Sequence, residues 1–239
     1  MRWRLLKLNW AYGIGELVIV VAGVMIALSF DQWNSDRLDR VEEVEIIDRL
    51  IADLQVDLEG ISGGLVRVAR KEALLLRVAS SMDSAIERPA DMAGFLQDVA
   101  GAAAYGWNQA RARRTTFDEV LASGKLGLIR DTTIRVRIAD YYERDVSTAN
   151  RINERETAYP DLAFSLVPRR AVFQPVVDLS DEQLAHMVEQ VLSSLSPNHV
   201  VAETNFAHFV NDRLTDLRGS CVQLTEELEA YRGTIEGER

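Results

Sequence analysis

Apolar positions fall along this chain in two patterns, one unbroken run near its start and a series of helical stripes after it. From Gly13 to Leu28 the sequence GIGELVIVVAGVMIAL is apolar apart from one carboxylate, Glu16, and Trp10 and Trp33 bracket it. The steps from Trp10 to Trp33, at a helical rise of about 1.5 Å each, span about 34 Å, close to a hydrocarbon core with its headgroup edges. The run therefore predicts a transmembrane helix over 10–33. On that helix Asn9, Gly13, Glu16, Val20, Gly23, Ala27, Phe30 and Asn34 recur at alternating steps of four and three. This seam gathers most of the small and polar residues of the segment, while Leu17, Val18, Ile19, Val21, Met25 and Ile26 lie mainly elsewhere. Small residues let transmembrane backbones approach and polar ones bond across the contact, so the seam predicts a helix–helix interface. The alternative for Glu16 is that it snorkels to the nearer headgroups.

Beyond Asp31 the stripes take over. Ile47, Ile51, Leu54, Leu58, Ile61, Leu65 and Val68 mark the seam of a long packed helix, with a bend allowed at Gly60, Gly63 and Gly64. Leu74, Val78, Met82 and Ile86 carry it to about Glu87, before Pro89, and a further helix is expected from about Ala90 to Tyr105. Thr116-Phe117-Asp118-Glu119 reads as a capping box, Gly124 as a left-handed stop, and Asp131 or Thr132 as the cap of a helix facing inward with Ile134, Ile138, Tyr141, Tyr142, Ala149 and Ile152. Residues 159–179 hold three prolines and no clean period, so a loop is expected there. Ser180-Asp181-Glu182-Gln183 is a second capping box, and Ser196-Pro197 opens a long last helix with the seam Val210, Leu214, Leu217, Cys221, Leu224, Leu228 and Tyr231.

The expectation is an all-α chain: a basic tail over 1–9, a transmembrane helix over 10–33, and a helical bundle over 34–239 in which the 35–87 helix pairs with the 132–158 and 198–235 helices. Composition agrees, with 47% hydrophobic residues and only 5 Pro and 14 Gly.

Charge orients this picture. Arg2, Arg4 and Lys7 precede the apolar run without an acid, whereas residues 31–60 carry ten acids against three Arg. The bias places the amino terminus in the cytoplasm and everything after Trp33 outside. The competing reading is a cleaved signal peptide ending near Ala27-Leu28-Ser29. A net charge of -10 opposes binding to a phosphate backbone, so nucleic acid is not an expected partner.

At this point a resemblance emerges. GELVIVVAGVMIAL with the following Trp-Asn, from Gly15 to Asn34, and TTFDEVLASGKLGLIRD with the following Tyr-Tyr, from Thr115 to Tyr142, resemble an uncharacterised family of bacterial single-pass membrane proteins. Its members share a Gly-Glu-led apolar segment ending in Trp-Asn and a later Ser-Gly-Lys-Leu turn. The resemblance covers roughly the first two thirds of the chain. It implies the anchored topology, which with the charge bias sets the amino terminus in the cytoplasm and the bundle in the periplasm of a bacterial inner membrane, and it supplies no catalytic residue.

Chemistry is sparse. His199 shares a helical face with Glu203, and His208 with Asp212, but neither a His-Glu-x-x-His nor a Cys-x-x-Cys occurs, so no metal is expected. Cys221 falls on an apolar seam, as a buried small hydrophobe does. Gly124-Lys125 lacks the rest of a phosphate loop. Arg111, Arg113 and Arg114 form the one dense basic patch, next to a helix start, and would suit an anion or an acidic partner; pairing with surplus carboxylates on neighbouring helices is the alternative. The expected function is that of a membrane-anchored, non-enzymatic interaction or ligand-binding protein that self-associates or joins other membrane subunits, without a cofactor. The alternative is a subunit of an ion-conducting or proton-driven assembly with Glu16 titrating.

Overall fold

A computed structural model of the chain describes residues 10–83, 89–104, 112–154, 157–172 and 179–237, with side chains of the first helix described from Glu16 onward. Among these residues there are seven α-helices, two short 3-10 turns and no strand. The helices are α1 (Trp10–Asp83), α2 (Met92–Ala104), α3 (Thr115–Ala122), α4 (Thr132–Asn153), α5 (Tyr159–Leu166), α6 (Asp181–Ser194) and α7 (Pro197–Gly237), with 3-10 turns at Lys125–Leu128 and Arg169–Val172.

The fold is organised by α1, whose 74 residues make a rod about 110 Å long. It runs through Gly60, Gly63 and Gly64 as one helix. A continuous stripe of its buried positions, Glu43, Ile47, Leu50, Leu54, Asp57, Ile61, Gly64, Val68, Lys71, Leu75 and Val78, alternates steps of four and three, and Val44, Ile46, Asp53 and Leu74 are buried beside it. The expected seam shares Ile47, Leu54, Ile61 and Val68 with this one. Its other members, Ile51, Leu58 and Leu65, are only half-buried, because the true interior positions one residue earlier are Leu50, Asp57 and Gly64.

Opposite lies α7, antiparallel to α1. The thiol of Cys221 donates to the Leu54 carbonyl at 3.3 Å, Lys71 pairs with Glu203, and the Tyr231 hydroxyl donates to Glu43. Every residue of the expected α7 seam is buried except Tyr231, which is half-buried. Such alternation on two facing helices is the pattern of coiled-coil packing. The expected pairing of the 35–87 and 132–158 helices is not made: α4 packs on α7 and reaches α1 through side chains such as Tyr141 rather than by close pairing along its length. At the far end of the rod, α2, α5, α6 and the second 3-10 turn pack on one another, and α2 also packs against α1.

Local signals explain most boundaries. The Asp131 carboxylate accepts from the Thr133 and Ile134 amides and caps α4. Ser180 and Gln183 form the full capping box of α6. Gly124 sits at φ 71°, the left-handed conformation that stops α3.

Two further expectations are corrected. The capping box at Thr116 does not form: α3 starts at Thr115 without a side-chain cap of its own, Thr116 is buried, and Glu119 pairs with Arg49 instead. The span 159–179 is not a plain loop, since Tyr159–Leu166 is helical and Arg169–Val172 is a 3-10 turn. Pro160 stands in the first turn of α5, where a missing amide costs nothing, so it opens a helix rather than ending one. Tyr159 anchors that helix, fully buried with its hydroxyl donating to the Val99 carbonyl of α2 at 3.2 Å.

Candidate functional site

Three places carry unusual chemistry: the exposed start of α1, the arginine cluster before α3, and a set of charged groups inside the bundle. From Glu16 to Asp39 every described side chain of α1 is exposed, and the first buried residue is Glu43. Leu17, Ile19 and Ile26 are 63%, 73% and 70% exposed, an arrangement no water-facing surface favours. This is the one described helix long and apolar enough to cross a membrane by length and composition. Along the predicted seam, Glu16, Val20, Gly23 and Ala27 are all exposed, and a methyl group built at Gly23 would meet nothing within 4 Å. Asn9 and the Gly13 position of that seam lie outside the described side chains. Phe30 and Trp33, at the upper end of the run, stand with ring centroids 5.6 Å apart. From Trp33 to Glu43 about 15 Å of helix rises before the bundle begins.

The described arginines of the cluster contact the bundle, Arg113 while still exposed and Arg114 half-buried. Arg113 donates its backbone amide to Asp57 at 2.6 Å, and its guanidinium lies 3.8 Å from Asp53. Arg114 donates to the Tyr142 carbonyl at 3.2 Å, pairs with Asp118 at 3.2 Å, and lies over the Phe117 and Tyr142 rings. Arg111 lies outside the described residues. Both described arginines are thus engaged with carboxylates and rings of the bundle itself, the structural alternative to an anion site.

Sequence reasoning missed the charged groups on the interior seam of α1. Glu43, Asp57 and Lys71 are fourteen positions apart, and each meets a different part of the molecule. Glu43 accepts from the Arg130 amide at 2.8 Å and from Tyr231, and pairs with Arg40 at 2.9 Å. Asp57 accepts from the Arg113 amide and, at 3.0 Å, from the Tyr141 hydroxyl. Asp53 joins it, accepting from the Thr116 amide at 3.2 Å, and Asp145 of α4 accepts from Ala112 at 3.1 Å. The first turn of α3 is therefore met by a carboxylate of α1, which supplies what the expected capping box was to supply.

Lys71 is 1% exposed and pairs with Glu203, which also accepts from the Thr157 hydroxyl. The signal for these groups was present as charges spaced by two heptads, but it looks like an interruption of the apolar pattern when only apolar residues are followed.

Electrostatics follow from this burial. Burial raises the Asp57 carboxyl above its ordinary range despite its two donors, and pushes the Tyr141 hydroxyl and the Cys221 thiol up. Burial also lowers Lys71, against the opposing pull of Glu203. These groups face one another or the backbone, in the tightly packed middle of the bundle.

The histidines are dispersed. His199 accepts from the Ser196 amide at 3.1 Å at the start of α7, and His208 stands 3.7 Å from Glu72. Among the described residues no three His, Cys, Asp or Glu side chains gather as a metal set would. A groove of about 650 Å³ runs between α1 and α7 at the far end of the rod, lined by Ala69, Ala73, Leu76, Met82, Val201 and His208 among others.

No curated protein matches the chain, and no solved structure does. One family model matches more than half of it, from Glu16 to Glu154, spanning the described apolar run, the rod and α2 to α4, and leaving out α5, α6 and α7. On that match the chain belongs to a family of unknown function, DUF6090.

Proposed function

We propose that this protein is a membrane-anchored, non-enzymatic helical interaction protein, held in a bacterial inner membrane with its amino terminus cytoplasmic and its bundle periplasmic. In this reading it self-associates or joins a larger membrane complex. The observation that carries the proposal is the continuity of α1: an apolar stretch with every described side chain exposed passes without a break into the helix that organises the core. A soluble protein would bury such a stretch, and a bilayer supplies the missing apolar surroundings. Because the helix is continuous, the bundle stands at a fixed height on a stiff stalk. The function is then positional, concentrating the bundle near one surface so that its contacts need less affinity than a free protein would require.

Two further features support a binding rather than a catalytic role. The buried titratable groups are matched to backbone amides and to one another, which suits holding elements in register more than turning over a substrate. The cysteine is buried on the α1–α7 seam with its thiol pushed up, opposite to what a nucleophile needs. The groove between α1 and α7 is where a ligand would be accommodated.

The test is the native mass of the full chain extracted in mild detergent, together with whatever co-purifies. The expected result is a species larger than one 26.8 kDa chain, or a defined companion. A monomer with no companion would contradict the assembly part of the proposal.

A further inference from the structure

The stalk extends the surface available for self-association beyond the apolar run. At about 100° per residue, Phe30, Asn34, Leu38, Val41 and Glu45 fall within about 80° of one another around α1. Val20, Gly23 and Ala27 continue the same face toward the amino terminus. Leu38 and Val41 are 55% and 48% exposed, and at about 7 and 12 Å of helical rise past Trp33 they stand beyond the apolar run. Within the bundle the core residues Ile47, Leu54 and Ile61 lie on the opposite side of α1, while Glu45, Asp48, Ala52 and Val56 on the near side are exposed. The bundle core therefore packs on the back of the helix, and on the near or front side the Arg232 side chain of α7 reaches Asp48 at 2.6 Å, above the stalk.

We infer that a second copy of this chain runs parallel along this front face, with contact from the apolar run up through Leu38 and Val41. The inference rests on the anchored reading above, which makes two copies parallel and sets their faces at the same height. Charge complementarity selects the occupant. Arg37 and Glu42 flank Leu38 and Val41 on either side and are five residues apart, the offset at which flanking residues meet across a parallel pair. Each Arg37 then faces the other copy's Glu42, twice over by symmetry, a match that an antiparallel helix would not make. Glu42 also pairs with Lys125 at 2.5 Å, which fixes its carboxylate at the base of the bundle. One turn higher, Glu45 sits in the centre of the face, so two copies would oppose like charges there. Contact ends near Val41 and the bundles diverge above it.

Oxidative cross-linking of the full chain in membranes tests this. Cys221 is fully buried, so single cysteines can be introduced beside it. Leu38→Cys and Val41→Cys should form covalent dimers several-fold faster than Asp39→Cys, which points to the back of the helix. Arg37→Glu should slow the Leu38→Cys link, and adding Glu42→Arg should restore it. Equal rates at all three positions would mean random collision and overturn the inference. Linking through Ala27→Cys alone would leave self-association standing inside the membrane and overturn the stalk contact. Absence of linking at every position, with the protein still in the membrane, would overturn both.

Discussion

Lys71 and Glu203 show most clearly how single residues hold this molecule together. Both are buried, on facing helices, and each is tolerable only because the other is present. Lys71→Met leaves an uncompensated carboxylate in the core and should cost about 3–5 kcal/mol, whereas Lys71→Met with Glu203→Leu should recover most of that loss. Chemical unfolding of the detergent-solubilised chain would measure both, and a double variant no better than the single would argue against the pairing. Asp57 makes a different prediction, set by pH. Its folded carboxyl is raised, so its protonated form is the one the fold favours; that contribution is present below the unfolded value and is lost as pH rises through the folded value. Asp57→Asn keeps an oxygen for the Arg113 amide and carries no charge. Relative to the original chain, the variant should therefore gain stability as pH rises from below the ordinary carboxylate range to neutrality. The opposite trend would show that the two donors outweigh burial.

The elements differ in how far their sequence announces them. Helices α4, α6 and α7 were legible from their caps and stripes, because Asp131, Ser180 with Gln183, and Pro197 act locally. The capping of α3 was not, because its acceptors Asp53 and Asp57 come from a helix about sixty residues earlier and no local pattern links them. Helix α5 was missed for a related reason: a proline at the start of a helix and one after its end look alike until the burial of Tyr159 is known. The exact seam of α1 was displaced by one residue at Leu50, Asp57 and Gly64, where an apolar neighbour on the following position kept the apparent stripe going. The arginine cluster illustrates the limit from the other side, since spacing displayed its charge but not the carboxylates it meets. Where a local rule does decide, its cost can be stated. Gly124→Ala would force a β-carbon into the left-handed region at the α3 stop and should lower stability by about 1 kcal/mol, read as a drop in unfolding temperature. An unchanged midpoint would show that the turn relaxes.

At the scale of the whole molecule, the family match and the core have different boundaries. The matched region ends at residue 154, yet the interior seam of α1 is closed by α7, which lies beyond it. A chain truncated after residue 154 should therefore lose cooperative thermal unfolding and expose the stripe from Ile47 to Val78; a sharp transition would mean that the first four helices close a core by themselves. The larger claim is that one continuous helix is both anchor and organiser. The most direct measurement is an alkaline carbonate wash of membranes from cells making either the full chain or residues 36–239 alone. The account predicts that the full chain stays in the membrane pellet while the shorter chain, which keeps the bundle and loses the apolar run, is recovered in the soluble fraction. Release of the full chain by the wash would contradict it.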